Sequence, residues 1–299
     1  MAKNSIELVL AQENTQPSGP SPWFFVPTLY FAEGVPYIII NYVSVVFYKK
    51  LGVDNAQVAF WTSFLYLPWV IKMMWGPLVD IYSTKRNWIL STQFAMMCCL
   101  SCLACSLQLP SFFLISLAVL AIAAFISATQ DIVIDGFYML TLTQEAQAFF
   151  VGVRSTFYRI ATIFGSGVLV FLAGQLEVSL KDVSLSWTIT IGVAASVFAV
   201  VFVFHWFILP FPSSDSKKAL DKPVKTLYLE VIKTYFSQER IGVILVFILS
   251  YRLGEAMLVK LTSPFLLDKT ELGGLGLSTS EVGLIYGIVG AIALATGGI

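Results

Sequence analysis

The chain has 299 residues, 57% hydrophobic and 12% charged, with a mean hydropathy of +0.81. Soluble domains run at about 45–50% apolar and about 25% charged, so a water-soluble fold is excluded and the solvent must be lipid. Lys and Arg number 18, as do Asp and Glu, a balance that argues against a nucleic-acid partner.

Residues 1–22 are polar and end in Pro17-Ser18-Gly19-Pro20-Ser21-Pro22. They read as a flexible cytoplasmic tail and not as a cleaved signal peptide. Stretches of roughly 20 apolar residues can cross the hydrocarbon as helices. The sequence predicts spans at 23–48, 57–78, 88–108, 112–137, 149–174, 186–209, 241–266 and 281–299. Most connections are short. The exception is 210–238, which carries Lys217, Lys218, Lys222, Lys225 and Lys233. The expected organisation is all-α: a six-helix bundle over 23–209, a cytoplasmic linker over 210–238, and the first two helices of a second bundle over 239–299.

With the N-terminus cytoplasmic, the inner segments hold Lys3, Lys85, Arg86 and the basic linker. The outer ones hold only Lys49, Lys50, Lys181 and Lys269, a bias that supports this orientation. An internal repeat is also legible. Leu51-Gly52-Val53-Asp54-Asn55-Ala56-Gln57-Val58 opens the second span as Leu275-Gly276-Leu277-Ser278-Thr279-Ser280-Glu281-Val282 opens the eighth. Tyr30 and Glu33 are echoed by Tyr251 and Glu255. A parallel repeat with a six-span period marks the two halves of many transporters, so four further spans are expected in a complete protein of twelve.

Charges inside spans are costly unless paired or wet, which makes each a candidate for function. Here they are Glu33, Lys72, Asp131, Asp135, Arg154, Arg159, Arg252, Glu255 and Lys260. The fourth and fifth spans run antiparallel about a turn near 142–147, and the helical rise sets Asp135 level with Arg154 and Asp131 level with Arg159. Two inter-helix pairs are therefore expected, either locking the helices together or serving gating or solute contact, with Lys72, Asp131 and Arg159 among the candidates for solute binding or proton coupling. Glu33 sits near mid-depth beside Gly34 and Pro36, where a desolvated carboxyl suits proton coupling or solute binding, or else bonds quietly to Lys72. Arg252 and Glu255 can pair within the seventh span, and Arg252 can also face an anionic solute. Asp80 can accept from a neighbouring helix N-terminus, while Lys85 and Arg86 anchor the third span at the anionic leaflet. His205 reads as an interfacial residue.

Cys98, Cys102 and Cys105 share a helix face with Cys99 beside them, but no His or carboxylate accompanies them. They read as packing residues and not as a metal site. Gly165, Gly167, Gly283 and Gly287 read as packing positions. No phosphate loop, zinc motif or nucleophile triad is present, so neither an enzyme nor a cofactor is expected.

Gly76-x-x-x-Asp80 with Lys85-Arg86 resembles the loop signature of the major facilitator superfamily. Lys72-x-x-Trp75-Gly76-Pro77-Leu78-Val79-Asp80, Ser127 to Gly136 and Phe150 to Arg159 are similar to the AmpG-type permeases and the related acetyl-CoA transporters. The resemblance implies a twelve-helix fold, alternating access and proton-driven uptake of a small solute, with anhydro-muropeptides carried by AmpG itself. Ile81 stands where a basic residue is common and Ser83 where a Gly is usual, which puts the loop's standard contacts in doubt. The fifth span lacks the Gly-Pro pattern of many antiporters, which favours a symporter. The expected partners are the bilayer, an amphipathic or anionic solute and the proton, with the protein acting as a monomer. A non-transporting membrane receptor or scaffold of facilitator ancestry is the alternative.

Overall fold

The computed structural model describes residues 20–212, 215, 224–290 and 292–293, with backbone alone at some helical positions, 252–260 among them. Most of the tail, most of the basic linker and the side chains of Arg252, Glu255 and Lys260 lie outside the described residues.

Among the described residues, five helices are long and apolar enough to cross a membrane. They are α1 (Pro22–Lys50), α5 (Lys85–Ser106), α6 (Phe112–Thr141), α7 (Gln144–Leu180) and α8 (Val183–Ile208). Their tight connections are fixed by N-caps. Thr84, Thr143 and Asp182 accept from the amides of Asn87, Ala146 and Leu185 and so begin α5, α7 and α8. Later come α9 (Val224–Phe236), α10 (Ile241–Leu267) and α11 (Thr279–Val289).

The predicted second span is not one helix. It is α2 (Asn55–Phe64), α3 (Leu67–Ile71), a 3₁₀ turn at Lys72–Met74 and α4 (Gly76–Tyr82). Pro68 and Pro77 each sit at the start of a new piece, because a proline lacks the amide that would continue the preceding helix. A broken helix in lipid needs protein or water to satisfy the freed groups, so this break marks a place where the bundle is not purely apolar. The fourth and fifth spans also run longer than predicted.

α1 lies inside the bundle: 83% of its most apolar window is buried, against 28% for α8. It packs along α7 and against α6, while α5 lies between α6 and α8. Two apolar clusters fill the interior, one around Phe47, Tyr48, Trp187 and Phe198, the other around Phe25, Leu29, Ile89 and Phe137. They lie toward opposite ends, referred to below as the Lys49 end and the Asp80 end.

The repeat read in the sequence has a structural counterpart. Gly52 and Gly276 both take positive φ, at 84° and 67°, and each is followed by a helix N-cap, Asp54 and Ser278. Both corners stand at the Lys49 end. The α7–α11 contact also follows the small-residue reading. A π-helical turn at Ile163–Leu169 meets another at Gly283–Val289, and a side chain at Gly287 would run into the backbone of Ser166 and Gly167. Cys98, Cys102 and Cys105 are exposed on the bundle surface, so the packing role expected of them goes to other residues.

Replacing Gly287 with Leu should overpack the α7–α11 contact and destabilise the protein by about 1–3 kcal/mol. Thermal unfolding in detergent micelles measures this, and an unchanged midpoint would refute the close contact.

Candidate functional site

Charges carried within the spans, Glu33 buried and Lys72, Asp131, Asp135 and Arg154 half-buried, gather where α1, the broken second span, α6 and α7 meet. Toward the Asp80 end, Arg154 Nη2 of α7 lies 2.7 Å from Asp135 Oδ1 of α6, and Tyr30 of α1 donates to the same oxygen at 2.9 Å. The Arg154 guanidinium also lies over the rings of Tyr30 and Tyr138, at 4.4 and 4.7 Å. One turn deeper, Asp131 of α6 receives the Lys72 ammonium from the 3₁₀ turn of the broken span.

Glu33 of α1 is buried, and its carboxyl lies close to that of Asp131. Its Oε2 has no donor among the described residues. Two carboxylate oxygens are acceptors only, so a bond between these groups needs a proton shared between them. Nearby, Gln130 of α6 donates to the Ala32 carbonyl of α1 at 3.1 Å, tying the two helices on either side of the carboxyl pair.

Aromatic rings stand beside the carboxyls. Tyr37 of α1 meets Trp69 edge-on at 5.1 Å and Tyr158 at 6.3 Å. Tyr66 stacks on Trp69 at 6.3 Å. The break before Pro68 is what turns Tyr66 and Trp69 toward this wall, and all four rings are half-buried. Aromatic faces next to ionisable groups suit a solute with both apolar and charged parts.

The two ends are built differently. At the Asp80 end, a cavity of about 540 Å³ is lined by Lys72, Asp80, Lys85, Asp135 and Asp215, among others. Lys85 pairs with Asp80, and Arg86 bonds the carbonyls of Leu209 and Trp206. At the Lys49 end, Lys49 lies 2.5 Å from Asp268, and Asn55 bridges the two. The Lys49 hydrogen bond holds the Asp268 carboxyl below the usual carboxylate range, which keeps it ionised down through mildly acid pH. Glu177 of α7 accepts from Trp187 of α8 and Thr279 of α11 and lies 3.2 Å from Lys50.

A family model for the major facilitator superfamily matches residues 28–299. The chain belongs to the major facilitator superfamily. Curated relatives of this facilitator include a putative transporter AmpG 4 from Rickettsia felis, 28% identical over 92% of this chain and 65% of the relative. The anhydromuropeptide permease of Escherichia coli K12 is 25% identical over 89% of this chain and 52% of the relative. The chain thus spans about half to two-thirds of the length of these relatives. Among solved structures, a peptide transporter POT in complex with sulfate is similar in fold, with a TM-score of 0.51 and 13% identity over 79% of this chain and 46% of that one.

Of the residues singled out in this facilitator, the structure brings together Glu33, Lys72, Asp131, Asp135 and Arg154. The Asp135–Arg154 pair forms at the expected depth. Asp131, however, makes its ion pair with Lys72 and not with Arg159, because the break in the second span delivers Lys72 to that height. Asp80 does not receive the α5 N-terminus. Asp215 of the linker takes that role, accepting from the Lys85 and Arg86 amides at 2.7 and 3.0 Å, while Asp80 holds the Lys85 ammonium. Lys85 is consequently buried and not a leaflet anchor, and Arg86 instead lies over the Phe211 ring at 3.8 Å.

His205 is fully buried and bonds Thr28 of α1 and Gln93 of α5, which corrects the interfacial reading. Sequence reasoning passed over Tyr30's bond to Asp135, the capping Asp215, and the Lys49–Asn55–Asp268 group. Charges at helix ends are ordinary in membrane proteins, so only proximity in the fold distinguishes these.

Arg154→Met and Asp135→Asn should show a coupling of about 1–2 kcal/mol in a double-mutant cycle of unfolding in micelles. Additive effects would mean that the pair carries no interaction of its own.

Proposed function

We propose that this facilitator is a secondary transporter that carries a small amphipathic or anionic solute by alternating access, driven by proton symport. The observation that carries this reading is the Glu33–Asp131 pair, where a buried carboxyl with one oxygen lacking a donor among the described residues lies close to a second carboxyl. A shared proton satisfies both groups, and losing it leaves two like charges in contact, so occupancy by a proton biases the position of α1 against α6. Lys72 holds Asp131 from the other side and offers a cation to an anionic solute that reaches the pair.

The aromatic wall supports a solute with an apolar or ring-shaped body. The AmpG-type relatives make a muropeptide-like molecule the first candidate. The helices lie in a bacterial inner membrane with the N-terminus and the basic linker in the cytoplasm, following the distribution of Lys and Arg. On this reading the Asp80 end faces the cytoplasm and the Lys49 end the outer side. The bundle over 23–209 and the helices after 239 move against each other, and the protein works as a monomer.

The test is uptake of an anhydromuropeptide into proteoliposomes containing the protein, with and without an inward proton gradient. Uptake should follow the gradient and fall roughly tenfold or more in Glu33→Gln and in Asp131→Asn. Gradient-driven uptake that survives both changes would remove these carboxyls from the coupling.

A further inference from the structure

His205, the one histidine of the chain, has no part in the transport reading so far. It sits in the last turn of α8, at the Asp80 end, and is fully buried. Its ring joins three helices. Nε2 lies 2.8 Å from Thr28 Oγ of α1. The side-chain amide of Gln93 of α5 lies against Nδ1, its nitrogen at 2.8 Å and its oxygen at 3.0 Å.

The hydrogen-bonding capacity of these groups selects one tautomer. Thr28 Oγ also lies 3.1 and 3.2 Å from the Phe24 and Phe25 carbonyls, which can only accept, so the hydroxyl proton points to them. The His205 Nε2–H then donates to the Thr28 oxygen, which leaves Nδ1 to accept from the Gln93 amide. Both partners are uncharged, so burial favours the neutral ring.

We propose that His205, as this Nε2–H tautomer, is a positioning residue for Glu33: it sets the height and rotation of α1 that deliver the carboxyl to Asp131. The proposal rests on the proton-coupling reading above and names what holds the coupling group in place from behind.

First, α1 packs along α7 and against α6 but touches α8 more sparingly. At the Lys49 end it meets α8 through the Phe47 and Trp187 rings, and at the Asp80 end through the Thr28–His205 bond. Ring pairs are satisfied by a range of offsets, whereas a hydrogen bond weakens steeply once its angle opens. The directional contact therefore fixes the register of α1. Second, Thr28 and Glu33 are five residues apart, which is about 7.5 Å of rise and roughly 140° of turn. A helix held on its Thr28 side thus presents Glu33 toward α6. Third, the ring is itself braced, because Gln93 belongs to α5, which packs along α8.

The test uses the full chain in lipid nanodiscs, without a polyhistidine tag, and needs no solute. Nitrogen-15 labelling of histidine reports His205 alone. Two-bond proton–nitrogen correlations should place the proton on Nε2 between about pH 5 and pH 8. A proton on Nδ1, or on both nitrogens, in that range would overturn the proposal.

The placement of Glu33 is read by its rate of modification with a carbodiimide, which attacks protonated carboxyls in apolar sites, followed by mass spectrometry. His205→Asn keeps a polar group at the Nδ1 position but cannot reach Thr28, and should raise the rate about fivefold. His205→Gln can still set an amide N–H against Thr28 and should stay near the parent. Thr28→Val, with His205 intact, should match His205→Asn. Equal rates in all of these proteins would overturn the positioning role. An equal rise in His205→Gln and His205→Asn would overturn it too, because that reports lost packing and not a lost bond. A chain that moves no solute would defeat the transport reading, while both measurements still decide the role of His205.

Discussion

An ionised side chain in hydrocarbon must find its counter-charge inside the protein, and the interior of this bundle is arranged around that requirement. α1 is its most enclosed helix, and it carries Glu33 and Tyr30 into the seam with α6 and α7. Asp135 is met by both Arg154 and Tyr30, so three helices converge on a single carboxylate. Asp131 is met by Lys72, which a continuous second span would not have presented in the same way. The carboxyl of Glu33 is left beside another acid, and one of its oxygens is reached by no described donor. Among the charged groups that meet at this seam, Glu33 is the one that makes no ion pair among the described residues.

The all-helical class and the run of long apolar helices were legible in the sequence because lipid imposes length and hydropathy on every span. The Asp135–Arg154 pair was legible for a similar reason: two helices joined by a short turn have a common depth scale, and the helical rise is fixed. For Asp131 the shared depth scale was not enough. It relates adjacent helices only, and the competing cation came from a segment that Pro68 and Pro77 had divided into short pieces. Asp215 was missed because a linker aspartate carries no local pattern that announces a distant helix N-terminus. His205 was misjudged because nearness to a helix end says little about which face a side chain occupies.

The Gly–N-cap corners show how a short repeat can carry more than homology between halves. Each copy reverses the chain with a glycine in the left-handed region and at once starts a capped helix. Both reversals fall at the same end, and both lie next to residues that reach across between the first bundle and α10–α11: Asn55 in the first copy, Thr279 and Ser280 in the second. Rigid corners of this kind hand motion from one helix to the next without absorbing it. The seam between them closes through side chains, aromatic stacking and glycine contacts instead of through loops.

The cap that Asp215 places on α5 bears on how far the later helices can travel. Because that residue is fastened to the first bundle, the path to α9 is anchored there and not at the end of α8. From Asp215 to Val224, where α9 starts, the chain has nine steps. A fully extended chain of that length reaches roughly 30 Å. Loss of the carboxylate at 215 would move the last fixed point back toward the end of α8 and so relax the geometric limit on how far apart α5 and α9 can stand.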